Sequence, residues 1–231
     1  MPPADTNKCP LLLDARSLAG AWTRTLLYEP HSADTPSPDS ADFVCWIQHA
    51  AGLFVDMRVT RAGVTSGFAG CGSIDGVRFV WARDVCSKAA RTGCAPQRDE
   101  GVLSWEGDAL VEDAALEGDD YREVWVRESQ GAGATAIATA ASAVKLTRGE
   151  ARAYYVEAEG STRWGLCAGE LIGGGVITVV GDGLAIMHTS DVDIVCAADA
   201  ARALGGGWRR DEQSSAGDVP AWLSSALEGL A

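Results

Sequence analysis

Tryptophan and charged residues stand two positions apart in several short segments of this 231-residue sequence. The segments hold Trp22 with Arg24, Trp81 with Arg83, and Trp125 with Glu123 and Arg127. Side chains two positions apart in a β-strand point to the same face of the sheet. If these segments are strands, one face of each carries an indole beside a guanidinium or an acid. Indoles can stack on a flat ligand, and a guanidinium can orient a carboxylate or a carbonyl group.

The segment FVCWIQHAAGLFVDMRV, residues 43–59, extends this pattern. It predicts two short strands around a small turn, because apolar residues alternate on both sides of His-Ala-Ala-Gly. One predicted face is aliphatic and carries Cys45, Ile47, Val55, Met57 and Val59. The other is mixed and carries Val44, Trp46, Gln48, Phe54, Asp56 and Arg58. A half-buried hairpin ordinarily puts plain polar residues outward, so the mixed face calls for another explanation.

A hairpin further along the chain adds two more residues to this face. Gly107-Asp108 suits a two-residue turn, which places Trp105 opposite Leu110 and Glu112 on the same face. A buried unpaired charge costs several kcal/mol, so the charged residues of this face must pair with each other or with a ligand. The candidate ligand-binding residues are therefore Trp22, Arg24, Trp46, Gln48, Asp56, Arg58, Trp81, Arg83, Trp105, Glu112, Glu123, Trp125 and Arg127.

Two arrangements of this face stay open. In the first, the face lines a barrel cavity that holds a small molecule, as pockets with an aromatic lining and a few polar groups commonly do. In the second, the aliphatic face fills the barrel. The Trp/Arg face then lies outside, under the second half of the chain or in an interface.

The carboxylates Asp56, Glu112 and Glu123 add a catalytic alternative. A carboxylic acid desolvated against tryptophan can have a raised pKa and act as a general acid or base. Each acid can equally be the partner of an arginine, since structural ion pairs have the same composition. No residue is therefore assigned a catalytic role from the sequence.

Short β-type runs dominate the chain, from GAWTRTLL to YREVWVRES and again from AVKLTR to VDIVC. Many consecutive hairpins of this length predict a mainly β, antiparallel up-and-down barrel. The small-residue stretch SQGAGATAIATAAS marks a boundary. We expect a barrel half over 14–128, a connection over 129–142, and a second β lobe or sheet extension over 143–231. DVPAWLSSALEGL repeats apolar residues at helical spacing and predicts a short C-terminal helix.

Part of this series resembles a known superfamily. LAGAWTRTL is similar to the start of a calycin, the superfamily of lipocalins and fatty-acid-binding proteins. Lipocalins carry Gly-x-Trp on the first strand, matched by Gly20-Ala21-Trp22, and a basic residue on the last barrel strand that packs by this tryptophan. Arg127 is the candidate for that residue. The resemblance covers residues 14–128, extends to uncharacterised two-lobed lipocalin-like proteins, and implies a barrel that binds a small lipophilic molecule.

The composition of the chain argues against some classes of binding partner. The net charge is −13 and no basic stripe is present, so we expect neither nucleic acid nor anionic lipid as a partner. No apolar run approaches the roughly 20 residues that span a bilayer, and the N-terminus lacks a signal-peptide pattern. We therefore expect a cytoplasmic protein without a membrane span.

Several known motifs are missing from the sequence. It has no Walker loop, dinucleotide-binding fingerprint, nucleophile elbow or histidine pair at metal-binding spacing. We expect no cofactor and no metal.

These observations favour an intracellular lipocalin-like protein that binds a small aromatic or lipophilic molecule bearing a polar group. Two other classes stay open. One is a cofactor-independent isomerase, cyclase or hydratase that uses cavity carboxylates. The other is a protein-interaction module whose Trp/Arg face is the interface. Homodimer formation is also open.

Overall fold

The computed structural model describes residues 13–29, 43–59, 65–86, 98–116, 120–128, 142–158, 163–168, 171–176, 179–180, 183–184, 188–189, 204–219 and 223–224. The described barrel elements are α1 (Ala15–Leu18), β1 (Gly20–Tyr28), β2 (Phe43–Gln48), β3 (Leu53–Val59), β4 (Thr65–Asp75), β5 (Arg78–Cys86), β6 (Arg98–Glu106), β7 (Ala109–Ala114) and β8 (Arg122–Arg127). The elements that follow are β9 (Ala143–Arg148), β10 (Ala151–Glu157), β11 (Arg163–Ala168), β12 (Leu171–Val176), β13 (Val179–Val180), β14 (Gly183–Leu184), β15 (His188–Thr189) and β16 (Arg209–Arg210).

The first eight strands form a closed barrel in sequence order. Each strand pairs antiparallel with the next, and β8 pairs back onto β1. The predicted mainly β, up-and-down barrel is therefore confirmed. The hairpin at Gly107 is also as predicted: Trp105 pairs with Leu110, and Gly107 adopts the positive φ of 65° that such a turn requires.

The strand β4 was missing from the sequence prediction, because its glycines weaken a strand signal. Two of them are required by close packing. A Cβ on Gly70 would lie 2.0 Å from the backbone oxygen of Ala82, and one on Gly72 would lie 2.3 Å from Cζ of Phe79. These glycines therefore let β4 pair closely with β5 while Phe79 packs across it.

Aromatic side chains fill the barrel interior. The mixed face of β2 and β3 points inward, and the core there comprises Leu18, Trp22, Val44, Trp46, Phe54, Phe68, Phe79, Trp81, Leu103, Leu110 and Trp125. Of the two arrangements left open by the sequence, the inward-facing one is the one observed.

The aliphatic face lies outside the barrel, beneath a second sheet. Cys45, Ile47, Val55 and Met57 form one buried cluster with Tyr154, Val156 and Cys167 of that sheet. The second sheet has six strands in the order β15-β12-β11-β10-β9-β16 and packs mainly on β2 to β5. Strands β2 and β3 are thus covered on both faces, which explains why both of their faces carry large apolar residues.

The far face of the second sheet carries its own core. Val144, Leu146, Tyr155 and Leu166 pack there against side chains that follow the sheet, namely Leu204, Trp208 and Leu223. Most of the predicted C-terminal helix lies outside the described residues. Leu223 and Ser224, which are described, are helical.

The boundary between the two parts stays a prediction, because residues 129–141 lie outside the described residues. The barrel strands end at Arg127 and the second sheet begins at Ala143. Within the described residues, no helix is long and apolar enough to cross a membrane.

Replacement of Gly165 by valine tests how tightly the second sheet packs on the barrel. A Cβ at Gly165 would lie 3.0 Å from Cγ1 of Val55 and 3.4 Å from Cδ1 of Ile47. Gly165→Val should therefore lower the free energy of unfolding by about 1–3 kcal/mol, measured by urea denaturation. Ala151→Val, at an exposed position of β10, is the control and should be nearly neutral. Equal stability of the two variants would contradict close packing at Gly165.

Candidate functional site

A cavity of about 210 Å³ opens at the end of the barrel opposite α1. It lies beside the second half of β1, and its lining includes side chains from several other barrel strands. The predicted residues that line it are Arg24, Trp46, Asp56, Arg58, Trp81, Arg83, Glu112, Glu123 and Trp125. The structure therefore brings these side chains together around one space, and their role in binding stays a prediction.

Trp46 is the centre of the aromatic floor. Its ring centroid lies 5.6 Å from that of Trp81, 5.9 Å from that of Trp125 and 5.5 Å from that of Phe79, all in edge-to-face contacts. Beneath it, Trp22 stacks at 6.1 Å. Such geometries suit the quadrupoles of aromatic rings. The indoles therefore close the lower barrel and leave the space above them open.

Three ion pairs surround this space. Arg24 pairs with Glu123, Arg83 pairs with Asp99, and Nε of Arg58 lies 3.1 Å from Oδ1 of Asp56. The Arg24 side chain is only 3% exposed, so its pair with Glu123 is deeply buried. A buried pair is strongly destabilised when one partner is removed.

The Phe68 ring lies between two arginines of the cavity wall. The guanidinium carbon of Arg83 is 3.8 Å from the ring centroid, and that of Arg58 is 5.5 Å away. Cation–π contacts of this kind hold a guanidinium in place without using its hydrogen-bond donors. Phe68 therefore fixes both cations at the wall.

Arg58 keeps donors available at the cavity mouth. Its side chain is 35% exposed, and its Nε donates to Asp56. Its two terminal nitrogens make no hydrogen bond to any residue that the structure describes. The Asp56 carboxylate raises the pKa of Arg58 further above its usual range, so the group is always a cation. It can therefore donate two hydrogen bonds to a ligand carboxylate or carbonyl.

Glu112 is a buried acid with neutral partners. It is 4% exposed and pairs in register with Glu123 on β8. The hydroxyl of Tyr121 lies 2.8 Å from its Oε1, and Nε1 of Trp125 donates to its Oε2 at 3.1 Å. Burial, and then the nearby Glu123, raise the pKa of Glu112 well above its usual value. Glu112 therefore holds a proton over a pH range in which an exposed glutamate is ionised.

Glu123 has the opposite surroundings. Burial raises its pKa, but the cations Arg24 and Arg58 act against that shift. Two neighbouring carboxyl groups whose surroundings separate their pKa values are a common basis of acid–base chemistry. In this pair Glu112 is the better proton carrier, and Glu123 the better anion.

Four predicted residues lie elsewhere, at the end of the barrel that α1 covers. Trp22 donates from Nε1 to the Leu18 carbonyl at 2.8 Å, and Trp105 packs 5.8 Å from Trp22. Gln48 is buried and donates to the His49 carbonyl at 3.0 Å. The guanidinium carbon of Arg127 lies 4.5 Å from the Trp22 ring centroid. These contacts build the closed end of the barrel, and none of the four side chains lines the cavity.

Phe68, Asp99 and Tyr121 line the cavity but are not among the predicted binding residues. Phe68 lies on the glycine-rich strand β4, and Asp99 lies in a segment that reads as a loop but begins β6. Tyr121 shares its spacing with Glu123 and Trp125, so the alternation that identified those two residues was also the signal for Tyr121.

The closed eight-stranded barrel, with Arg127 packed on the tryptophan of Gly20-Ala21-Trp22, decides the fold. It is a lipocalin-like barrel fold. No family model matches the sequence, and no curated protein matches it.

Solved structures are similar to this chain at low sequence identity. An uncharacterized protein from Saccharomyces cerevisiae is 11% identical with a TM-score of 0.51, over 74% of this chain and 85% of that one. A lipocalin-like protein from Bacteroides uniformis is 16% identical with a TM-score of 0.36, over 48% of this chain and 98% of that one. An uncharacterized protein from Bacteroides eggerthii is 12% identical with a TM-score of 0.33, again over 48% and 98%. The yeast match covers more of the chain than the barrel does, so it reaches into the second sheet.

Replacement of Arg24 by methionine tests the buried ion pair. The loss of this cation leaves Glu123 buried beside the indoles, so we expect the free energy of unfolding at pH 7 to fall by about 3–5 kcal/mol. The loss should be smaller at pH 5, where Glu123 can take up a proton instead. Arg122→Met, in an ion pair 40% exposed on the arginine side, should cost about 0–1 kcal/mol. Equal losses in urea denaturation would show that Arg24 is not a buried partner.

The raised pKa of Glu112 predicts a pH-dependent stability. Above the unfolded-state pKa of about 4.5, the folded chain keeps a proton that the unfolded chain releases. This contribution to the free energy of unfolding therefore falls as the pH rises, by at most roughly 1.4 kcal/mol per pH unit. Glu112→Gln removes it, so the variant should gain stability relative to wild type between pH 5 and pH 8. Glu106→Gln, at a side chain 61% exposed, is the control and should show no such slope in urea denaturation. A constant difference between Glu112→Gln and wild type would place an ionised Glu112 in the folded chain.

Proposed function

We propose that the barrel binds a small one-ring molecule that carries a carboxylate or carbonyl group. The observation that carries this proposal is the cavity of about 210 Å³ with an indole floor and a guanidinium at its mouth. An aromatic or lipophilic body can rest on Trp46, Trp81 and Trp125. The polar group can then accept hydrogen bonds from the terminal nitrogens of Arg58.

The cavity size limits the ligand. Pockets for drug-sized ligands usually measure about 300–1,000 Å³, so this space suits a smaller molecule. Long fatty chains do not fit it. The ion pairs of the wall also favour a ligand with a polar end, because a purely apolar molecule would cover charges without replacing their hydration.

The interaction-module alternative has less support. An interface formed by the Trp/Arg face requires tryptophans at the surface, and the tryptophans of the barrel face instead point inward. Among the described residues, the large hydrophobic side chains that are exposed are Tyr28, Val77, Leu116 and Val126. They include no tryptophan.

A titration with three matched probes tests the proposal. Benzoate, benzamide and benzylamine share one ring and differ in their polar group. We expect benzoate, and more weakly benzamide, to quench the tryptophan fluorescence, and benzylamine to have no effect. Arg58→Lys keeps the charge but loses the planar fork, so benzoate binding should weaken by about 1–3 kcal/mol with little change in melting temperature.

Arg122→Lys is the control, since Arg122 pairs with Glu106 and Asp113 and does not line the cavity. It should bind benzoate as the wild type does. Failure of all three probes, or undiminished binding by Arg58→Lys, would contradict the proposal. Native mass spectrometry of the protein purified from its own source would then identify any co-purified ligand of another class.

A further inference from the structure

We propose that this cavity is catalytic and enolises an aromatic 2-oxo acid, with Asp56 moving the proton and Tyr121 holding the oxo group. The inference rests on the proposed binding function and names the substrate class of the same site. It depends on three groups that line the cavity and on their positions around the barrel.

The first group is a carboxylate with an available oxygen. Asp56 is buried and uses Oδ1 to accept the hydrogen bond from Arg58. Its Oδ2 accepts no hydrogen bond from the residues that the structure describes, and the side chain lines the cavity. The neighbouring guanidinium stabilises the anion. Asp56 therefore offers a carboxylate oxygen that can take a proton from a bound molecule.

The second group is the pair formed by Tyr121 and Glu112. Glu112 is buried with two neutral hydrogen-bond partners and lies directly opposite another acid, so it is the member of that pair that carries a proton. In the resting site the Tyr121 hydroxyl donates to Oε1 of Glu112 at 2.8 Å. A protonated Glu112 can reverse this bond and donate to the tyrosine oxygen when a ligand oxygen takes the tyrosine proton. The next acceptor for the tyrosine proton is the Glu100 carbonyl at 3.5 Å, which is too long for a strong bond. Reversal of the bond to Glu112 therefore makes the Tyr121 proton available to a ligand oxygen.

The two groups face each other. The barrel has eight strands in sequence order, so β3 and β7 lie four strands apart on opposite walls. Asp56 stands on β3, and Glu112 on β7 with Tyr121 just before β8. A molecule between these walls meets a proton acceptor on one side and a polarised hydroxyl donor on the other.

The third group is Arg58, which fixes the orientation. A carboxylate at Arg58 places the neighbouring oxo group deeper in the cavity and the aromatic ring on the indole floor. The methylene group between the oxo carbon and the ring then lies near Asp56, because Arg58 and Asp56 are already paired. An aromatic 2-oxo acid matches this order of groups, whereas a simple acid leaves Tyr121 without an acceptor.

The reaction is a balanced tautomerisation. Asp56 removes one methylene proton, and the electron pair of that C–H bond forms a carbon–carbon double bond. The electrons of the oxo double bond move to its oxygen, which takes the proton of Tyr121 while Glu112 donates a hydrogen bond to the tyrosine oxygen. Exchange with water then removes the proton from Asp56 and returns one to Tyr121. A neutral carboxylic acid in an apolar site can support a developing oxyanion in this way.

Phenylpyruvate in D₂O is the test. We expect the protein to accelerate deuterium exchange at its methylene group, followed by NMR. Tyr121→Phe and Asp56→Asn should each lower this rate by roughly 100-fold, with the dissociation constant changed far less. The controls Tyr28→Phe and Asp75→Asn, at exposed positions outside the cavity, should keep the full rate.

Glu112 acts through Tyr121, so it is a positioning residue and needs its own measurement. Glu112→Gln keeps a neutral donor for the tyrosine oxygen and should retain most of the rate. Glu112→Met removes the donor and should lose roughly tenfold or more. A rate abolished by glutamine as well would show that Glu112 acts as an anion and would overturn the proposed role.

The outcomes separate the two proposals. Phenylpyruvate that binds through Arg58 without accelerated exchange overturns the catalytic inference and leaves the binding function standing. Exchange that survives in both Asp56→Asn and Tyr121→Phe overturns it as well. Absence of binding by phenylpyruvate, benzoate and benzamide overturns both. Because Tyr121→Phe removes a single oxygen from a half-buried side chain, it keeps the test valid if Asp56→Asn does not fold.

Discussion

The packing of Trp46 against four aromatic rings is the contact on which the site depends. Trp22 supports it from the closed end of the barrel, and Phe79, Trp81 and Trp125 surround it. A close-packed layer of this kind cannot be compressed, so it separates the barrel into a filled lower part and an open upper part. The depth of the cavity is therefore set by the size of the indoles rather than by the length of the strands.

Above that layer the barrel contains charge, and burial forces the charges to pair. Arg24 is held by Glu123, Arg83 by Asp99, and Arg58 by Asp56. Glu112 is the acid of this wall whose hydrogen-bond donors are an indole and a phenol. A group in such surroundings is stable when it is neutral. The wall therefore combines ion pairs with an acid whose partners are neutral, and this difference separates the surroundings of the two glutamates.

Much of the fold and of the site follows from residue spacing. The alternation of tryptophan and charge identified the inward face of β2, β3, β7 and β8, and Gly107-Asp108 set the register of Glu112. Spacing could not distinguish the two ends of the barrel, so Trp22 and Arg127 were grouped with residues that lie at the other end. It also missed Phe68, because glycines required by packing against Phe79 and Ala82 interrupt its strand. Which of two apolar faces points inward depends on contacts with the second sheet, and those join residues about a hundred positions apart.

Because the second sheet packs on one side of the barrel, the two walls of the cavity differ in how tightly they are held. Strands β2 to β5 are held between the aromatic interior and the aliphatic layer under β10 and β11, whereas the outer face of β8 carries the exposed Val126. Asp56 lies on the wall that the second sheet covers, and Glu112 and Tyr121 lie on the wall away from that sheet. We therefore expect thermal motion that changes the width of the cavity to occur mainly on the Tyr121 side, because the Asp56 side is packed on both of its faces. Over evolutionary time, substitutions in β7 and β8 can change the shape of the cavity without disturbing the packing between the barrel and the second sheet. Substitutions in β3 affect both.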